Sequence, residues 1–422
     1  MFLNKAKDAD HLRFLEWALS NGIEMNGLAP CRFPGRGMGM IATRMIEADE
    51  IMLKVPVSTM LNIDSIPQEF VDHFPSGTSI HGILAAFLTL GDPELLDRWV
   101  LWRKIWPSQQ DFDNSLPLLW PDTTRTSSDC QIPLPPSFSG KWKSSLASRC
   151  GENDEDTYQN VLTHQAKRLQ YSWEQVLHVF PNTDYSVFRY NWFILNTRSF
   201  YYVSPTTGPP EDWNDAVGLV PFADYMNHTD NAPCEVIFDG ESTTFRATAR
   251  HEKGDEVFMN YGEHTNDYLL IEYGFFLDNN ESDSIFLDDI IIPDLTSDEK
   301  EALRSHEYKC HFGITSSGPS PIVEIVASLK CMTRNDWDAY ALDPSSSNLL
   351  PEAKDLIRKW IKIYLDESTW AIKELESVTK FKAPGPSSEN RDLAQADQPI
   401  STILQRWYQI RELCQNALKA VA

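Results

Sequence analysis

An α+β fold is predicted: two stretches of short strands and turns separated by a helical insertion, followed by a mainly α-helical C-terminal domain. Three observations predict it. Phe33-Pro-Gly-Arg-Gly-Met-Gly39 is a glycine-rich turn between strand-like runs. The runs 234–238 and 243–248 flank Asp239-Gly240, a dipeptide that accepts the positive φ of a tight hairpin. Leu356, Ile357, Trp360, Ile361, Tyr364 and Leu365 recur at three- and four-residue spacing, the stripe of an amphipathic helix.

In chain order, Leu12, Leu15, Trp17 and Leu19 predict a short helix over 10–22 that Asn21-Gly22 stops. Strands follow the glycine turn at 38–42 and 51–55. Helical spacing then takes over in Ile80, Ile83, Leu84 and Phe87, and again in Leu96, Trp99, Leu101 and Trp102. Loops carry Pro133, Pro135 and Pro136 and an acidic stretch at 152–156. An aromatic helix leads into a strand over 188–203. Beyond the hairpin, Lys253-Gly254-Asp255 turns the chain into a strand at 256–260. Past about residue 280 the pattern is helical; Trp370, Ile372 and Leu375 extend the stripe. A Pro/Ser/Gly linker at 383–389 precedes a last helix with Leu404, Trp407, Tyr408, Ile410 and Leu413. The apolar stripes are expected in the core. The acidic clusters at 152–156 and 278–289 are expected to be solvated faces, with steering of a basic substrate as the alternative.

With 422 residues, two or three domains are expected. Apolar residues make up 42% of the chain, with 13 Trp and 21 Phe, which excludes global disorder. The net charge of −24 (37 basic against 61 acidic residues) repels nucleic-acid phosphates and attracts a basic protein or peptide, although solubility alone accounts for it. Seven cysteines, an odd number without a C-x-x-C pair, argue against a disulfide framework and a zinc site. Thiols of this kind fit the cytosol or nucleus. The longest apolar segment, 83–90, is far short of the ~18–20 residues that span a bilayer, and residues 1–10 carry no apolar run followed by a cleavage site. A soluble intracellular monomer is expected, with no metal, no membrane contact and no direct nucleic-acid contact.

Three short pieces carry chemistry together. Gly35-Arg36-Gly37-Met38-Gly39 lets backbone approach a ligand, but it has neither dinucleotide-fingerprint spacing nor a P-loop lysine. Pro221-Phe-Ala-Asp-Tyr-Met-Asn-His228 is the second piece. Phe258-Met-Asn-Tyr-Gly262, directly after the Gly254-Asp255 turn, is the third. Each alone is an ordinary turn or a core tyrosine. Their order, Arg-Gly-x-Gly, then Asp-x-x-Asn-His, then Gly-Asp-Glu-Val-Phe-x-Asn-Tyr-Gly, resembles SET-domain methyltransferases, closest to the Rubisco-methyltransferase-like subgroup. The resemblance is strong over 30–55 and 186–277 and weak elsewhere.

That resemblance implies a β-rich SET domain split by a helical insertion, with boundaries at 1–55, 56–185 and 186–280, and a helical substrate-binding domain at 281–422. It implies S-adenosylmethionine as cofactor, held by Arg36, Gly37, Met38, Asn227 and His228. Arg198, in Asn196-Thr-Arg-Ser-Phe200, would pair with the cofactor carboxylate, which a guanidinium fork suits. Tyr261 would be the catalytic tyrosine. Phe200 and Tyr273 would wall the channel for the target side chain, with Asp224 beside the substrate. The implied activity is lysine methylation of a non-histone protein, because no cysteine-rich zinc segment accompanies the motifs. Histidine methylation is the alternative acceptor chemistry, and a catalytically silent protein-binding module the alternative class. Methyl transfer is an in-line displacement in which alignment is the main lever. A lysine must lose its proton first, and desolvation beside a sulfonium promotes that. No general base is therefore nominated, and His228 is assigned to structure and cofactor contact.

Overall fold

The computed structural model describes residues 8–120, 133–139, 161–205, 208–210, 215–308, 311–344, 348–381 and 398–422. The acidic stretch 152–156 and the linker 383–389 lie outside these residues. The chain divides into two compact units, Met1–Phe112 with Ala166–Glu263, and Asp113–Gln165 with His264–Ala422. Among the described residues no helix is long and apolar enough to cross a membrane.

The first unit is built on three small antiparallel sheets. One carries the order β1 (Glu24–Met25), β4 (Ile51–Pro56), β8 (Ser242–Ala247), β7 (Cys234–Phe238). The second joins β2 (Leu28–Phe33), β3 (Gly37–Ala42) and β9 (Glu256–Val257), and the third pairs β5 (Ser199–Tyr201) with β6 (Val217–Leu219). The Asp-Gly hairpin forms as expected, with Phe238 opposite Thr243 and Gly240 at φ +90°. Asp239 closes the turn by accepting N–H bonds from Glu241 (2.9 Å) and Ser242 (2.7 Å).

One strand is shorter than the sequence predicts. Only Glu256 and Val257 pair with β3, after which Met259 bridges His228 in parallel. The backbone changes partner there. The Met259 N–H donates to the Asn227 carbonyl (3.0 Å), and the Thr229 N–H donates to the Met259 carbonyl (3.2 Å). Helix Ile80–Leu90 packs on helix Tyr185–Arg198, whose N-terminus Asp184 caps through Ser186 and Val187. Between 93 and 103 the helical spacing resolves into short pieces, Pro93–Leu96, a 3-10 turn Asp97–Trp99, and Val100–Arg103. Pro93 explains one boundary: it sits at a helix start that Asp92 caps through the Glu94 N–H.

In the second unit, helices Pro351–Phe381 and Gln398–Ala420 pair along the predicted stripes. Ile357, Trp360, Ile361 and Tyr364 are buried in one core with Ile403, Trp407 and Ile410. A small antiparallel sheet, β10 (Ser284–Phe286), β11 (Gly313–Thr315) and β12 (Gly318–Pro319), interrupts the helical run that the pattern predicts here.

The acidic cluster at 278–289 is not the solvated face the sequence suggests. Asp278 and Glu281 are exposed, but Asp283, Asp288 and Asp289 are buried. Asp288 accepts the backbone N–H groups of His311 (2.7 Å) and Phe312 (3.0 Å), and so holds the entry to β11. Asp283 meets the guanidinium of Arg406, a fully buried arginine on the last helix that also engages Asp267 (Nε to Oδ1, 2.6 Å). Burial outweighs Arg406 and raises the Asp283 carboxyl above its usual range. Asp283 and Asp288 are tolerated in the interior because one has a cation and the other has backbone donors.

Candidate functional site

The glycine-rich turn closes the β2–β3 hairpin. Phe33 pairs with Gly37, and the Arg36 N–H donates to the Phe33 carbonyl (3.2 Å). Gly35 and Gly37 take φ near +75°, a region that disfavours any side chain, and nothing lies within 4 Å of where a Cβ would stand. The turn therefore offers bare backbone to an approaching ligand. Gly39 has a different reason to be glycine. A Cβ there would sit 2.8 Å from Asn227 Nδ2, from Glu256 Oε1 and from a Phe33 ring carbon.

Those close neighbours form a polar chain. Asn227 Nδ2 donates to Glu256 Oε1 (2.7 Å) and to the Met38 carbonyl (3.3 Å). Glu256 Oε2 accepts from the Arg36 guanidinium through Nε (3.1 Å) and Nη2. Arg36 itself lies beside the rings of Phe33 and Phe258, 5.8 and 5.6 Å from their centroids. Arg36, Met38 and Asn227 are thus brought together through a carboxylate the motifs gave no role.

His228 is buried, and its Nδ1 accepts the Tyr261 backbone N–H (3.1 Å). That acceptor role puts the proton of a neutral ring on Nε2, which stands 3.7 Å from Asp230 Oδ1. The rings of His228 and Tyr261 stack with centroids 5.0 Å apart. The Tyr261 hydroxyl donates to the Met226 carbonyl (2.6 Å). Tyr261 is held at both ends by one segment, 226–228, and its phenol proton is already directed at a carbonyl.

Arg198 ends its helix one residue before β5. Its Nη1 donates to the Asp224 carbonyl (2.9 Å) and to Asp224 Oδ2 (3.2 Å), and Trp102 Nε1 donates to the same carboxylate oxygen (3.2 Å). Asp224 Oδ1 and Arg198 Nε are buried without a hydrogen-bond partner among the described residues. Burial raises the Asp224 carboxyl above its usual range, and Arg198 only partly offsets that. The 3-10 turn Ala223–Tyr225 that carries Asp224 follows Phe222, a non-glycine residue at φ +68°. The buried Phe222 ring, stacked on Phe14 at 4.5 Å, holds that strained backbone in place. Phe200 sits on β5 opposite Gly218, edge-on to Phe245 at 5.8 Å.

Tyr273 belongs to the second unit. It is half-buried near the end of helix Asn266–Tyr273, among the rings of His264 (6.2 Å), Tyr268 (6.4 Å) and Phe275 (6.3 Å). Gly274, at φ +83°, ends the helix.

Three contributors carry no motif signal of their own. Glu256 stands just before the third piece, yet an acid on a short strand reads as surface until its partners are known. Met226 contributes only a carbonyl, which no side-chain pattern reveals. Trp102 lies 122 residues from Asp224 in the sequence, and its stripe spacing announces only a core position.

A family model described as "SET domain" matches residues 37–262. Arg36 and Tyr273 fall outside that span. "Ribosomal lysine N-methyltransferase set11" of Schizosaccharomyces pombe is 34% identical over 153 residues, 36% of this chain and 38% of that protein. The chain therefore spans well under half the length of that relative. "SET domain-containing protein 4" of Homo sapiens is 23% identical over 397 residues, 90% of this chain and 86% of its own length. Among solved structures, the SET domain of LSMT bound to lysine and AdoHcy superposes with a TM-score of 0.57 at 15% identity, covering 99% of this chain and 91% of the other. The shared fold extends into the helical C-terminal region.

Proposed function

The chain belongs to the SET-domain family, and from that premise we propose that it is an S-adenosylmethionine-dependent protein-lysine N-methyltransferase acting on a non-histone protein. The lysine methyltransferase relative and the lysine- and AdoHcy-bound structural neighbour support this reading. The observation that carries it is the double anchoring of Tyr261 by the Met226 carbonyl and His228 Nδ1.

The site fits the cofactor. Backbone at Gly35 and Gly37 is open to approach, the Asn227 amide is oriented, and the buried Arg198 Nε, without a hydrogen-bond partner among the described residues, suits the carboxylate of a ligand. We assign Arg36, Gly37, Met38, Arg198, Asn227 and His228 to holding it. When bound, the cofactor supplies a methyl group activated by a sulfonium. The chain's own part is alignment. The Tyr261 hydroxyl donates its hydrogen bond to the Met226 carbonyl and keeps oxygen lone pairs as acceptors for weak C–H contacts, which fix geometry at the methyl. It does not act as a base, and neither does His228, whose Nδ1 already accepts an N–H. The acceptor lysine, ordinarily near a pKa of about 10.4, loses its proton through desolvation in an aromatic channel to which we assign Phe200. Asp224, whose side chain is buried and paired with Arg198, is assigned to the substrate side. The helical region 281–422 is assigned to recognition of the target protein.

Two measurements test the reading. Calorimetry with S-adenosylmethionine should show binding; no binding removes the enzyme reading. Incubation with labelled cofactor and cell extract, followed by mass spectrometry, should place the label on lysine. Label on histidine would instead establish the alternative acceptor.

A further inference from the structure

We propose that Glu256 is a positioning residue of the donor site: its carboxylate dictates which end of the Asn227 amide faces the ligand. The inference rests on the reading that Asn227 holds the cofactor. The two ends of an asparagine amide are close to isosteric, so sterics alone do not choose between them. The partners do. A carboxylate oxygen and a carbonyl only accept, and they lie 2.7 and 3.3 Å from the same Asn227 atom, so that atom is the NH2. Oδ1 is then the end left to meet a ligand, and it selects a donor such as the ammonium of an amino acid.

Three features keep this choice fixed. The Glu256 side chain is 5% exposed, so little water competes for it. Arg36 pairs with its other oxygen, which neutralises the charge and stops the carboxylate turning toward a cationic ligand. The Gly39 Cα faces Asn227 Nδ2 and Glu256 Oε1 so closely that no side chain fits between. The acid in Gly-Asp-Glu-Val is thus read as the switch setting of the neighbouring amide.

The test exchanges donor and acceptor. Cofactor affinity is measured by calorimetry for the wild type, Glu256→Gln, Asn227→Asp and the double variant, with a thermal melt on each to confirm folding. Glu256→Gln is close to isosteric and should bind several-fold more weakly. Asn227→Asp sets two carboxylates face to face; its affinity should be reduced tenfold or more at pH 8 and recover as pH falls to 6, where one of the pair takes up a proton. In the double variant the amide introduced on β9 donates to the carboxylate introduced in the 226–228 segment, whose outer oxygen still accepts. It should regain at least threefold over Asn227→Asp, with a flat pH profile. Wild-type affinity in Glu256→Gln, or a double variant no better than Asn227→Asp, overturns the proposal. Failure of the wild type to bind the cofactor overturns the functional reading itself, and the two failures are distinguishable.

Discussion

Replacing Arg406 by methionine removes the cation from between two buried carboxylates. The guanidinium reaches Asp267 at 2.6 Å and Asp283 at 2.7 Å, and all three side chains are at most 6% exposed. At an effective dielectric of ~20, each contact represents roughly 6 kcal/mol of gross attraction. Most of that is offset by the several kcal/mol needed to desolvate each ion. Methionine recovers the packing and removes the attraction, but the acids stay buried. The expected cost is about 3–5 kcal/mol, the range for breaking a buried pair. Urea unfolding followed by hydrogen exchange over helices Asn266–Tyr273 and Gln398–Ala420 reads it. The pH dependence carries a sign. Burial raises Asp283 even with Arg406 present. Without the cation, its folded-state pKa climbs further above the unfolded value of about 3.9. A raised acid contributes stability below its unfolded pKa and loses it as pH rises through the folded pKa. The deficit should therefore narrow as pH falls from 8 toward 5. A deficit below about 1 kcal/mol, or one that widens on acidification, would contradict this account of the buried cluster.

Other substitutions address the remaining links. Tyr261→Phe should lower kcat by roughly two orders of magnitude, about 2.7 kcal/mol of transition-state alignment, while calorimetry shows cofactor affinity within about twofold; an unchanged kcat removes Tyr261 from the chemistry. Gly39→Ala should destabilise the first unit by about 1–3 kcal/mol, as overpacking does, and weaken cofactor binding, because its Cβ lands 2.8 Å from Asn227 and Glu256; wild-type affinity would show that the triad can move. Trp407→Ala should cost about 3–5 kcal/mol in denaturant unfolding, since the ring is fully buried and its Nε1 donates to the Pro133 carbonyl (2.7 Å).

The sequence is most readable where local rules act alone. The Asp239-Gly240 hairpin, the glycine turn at 33–39 and the long stripes of the last two helices follow from φ preferences and periodicity, and the structure forms each of them. It is least readable where a residue's role depends on a distant partner. Asp283 and Asp288 look like solvent-facing acids until Arg406 and the 311–312 backbone arrive from elsewhere in the chain. The β10–β12 sheet is built from two- and three-residue strands, too short for alternation to register. In the site, the ordered motifs lead to Arg36, Met38, Asn227, His228 and Tyr261. The pairing of Arg198 with Asp224 and Trp102, and the bridge through Glu256, arise from contacts that no linear spacing encodes.

The anchoring of Tyr261 has a mechanical consequence. Its amide and its hydroxyl both attach to residues 226–228, the same strip of backbone that carries Asn227. A shift of that strip moves the Asn227 amide, which we assign to the donor, and the Tyr261 hydroxyl, which we assign to the methyl, as one piece. Displacement of that strip therefore leaves the spacing between the two groups unchanged.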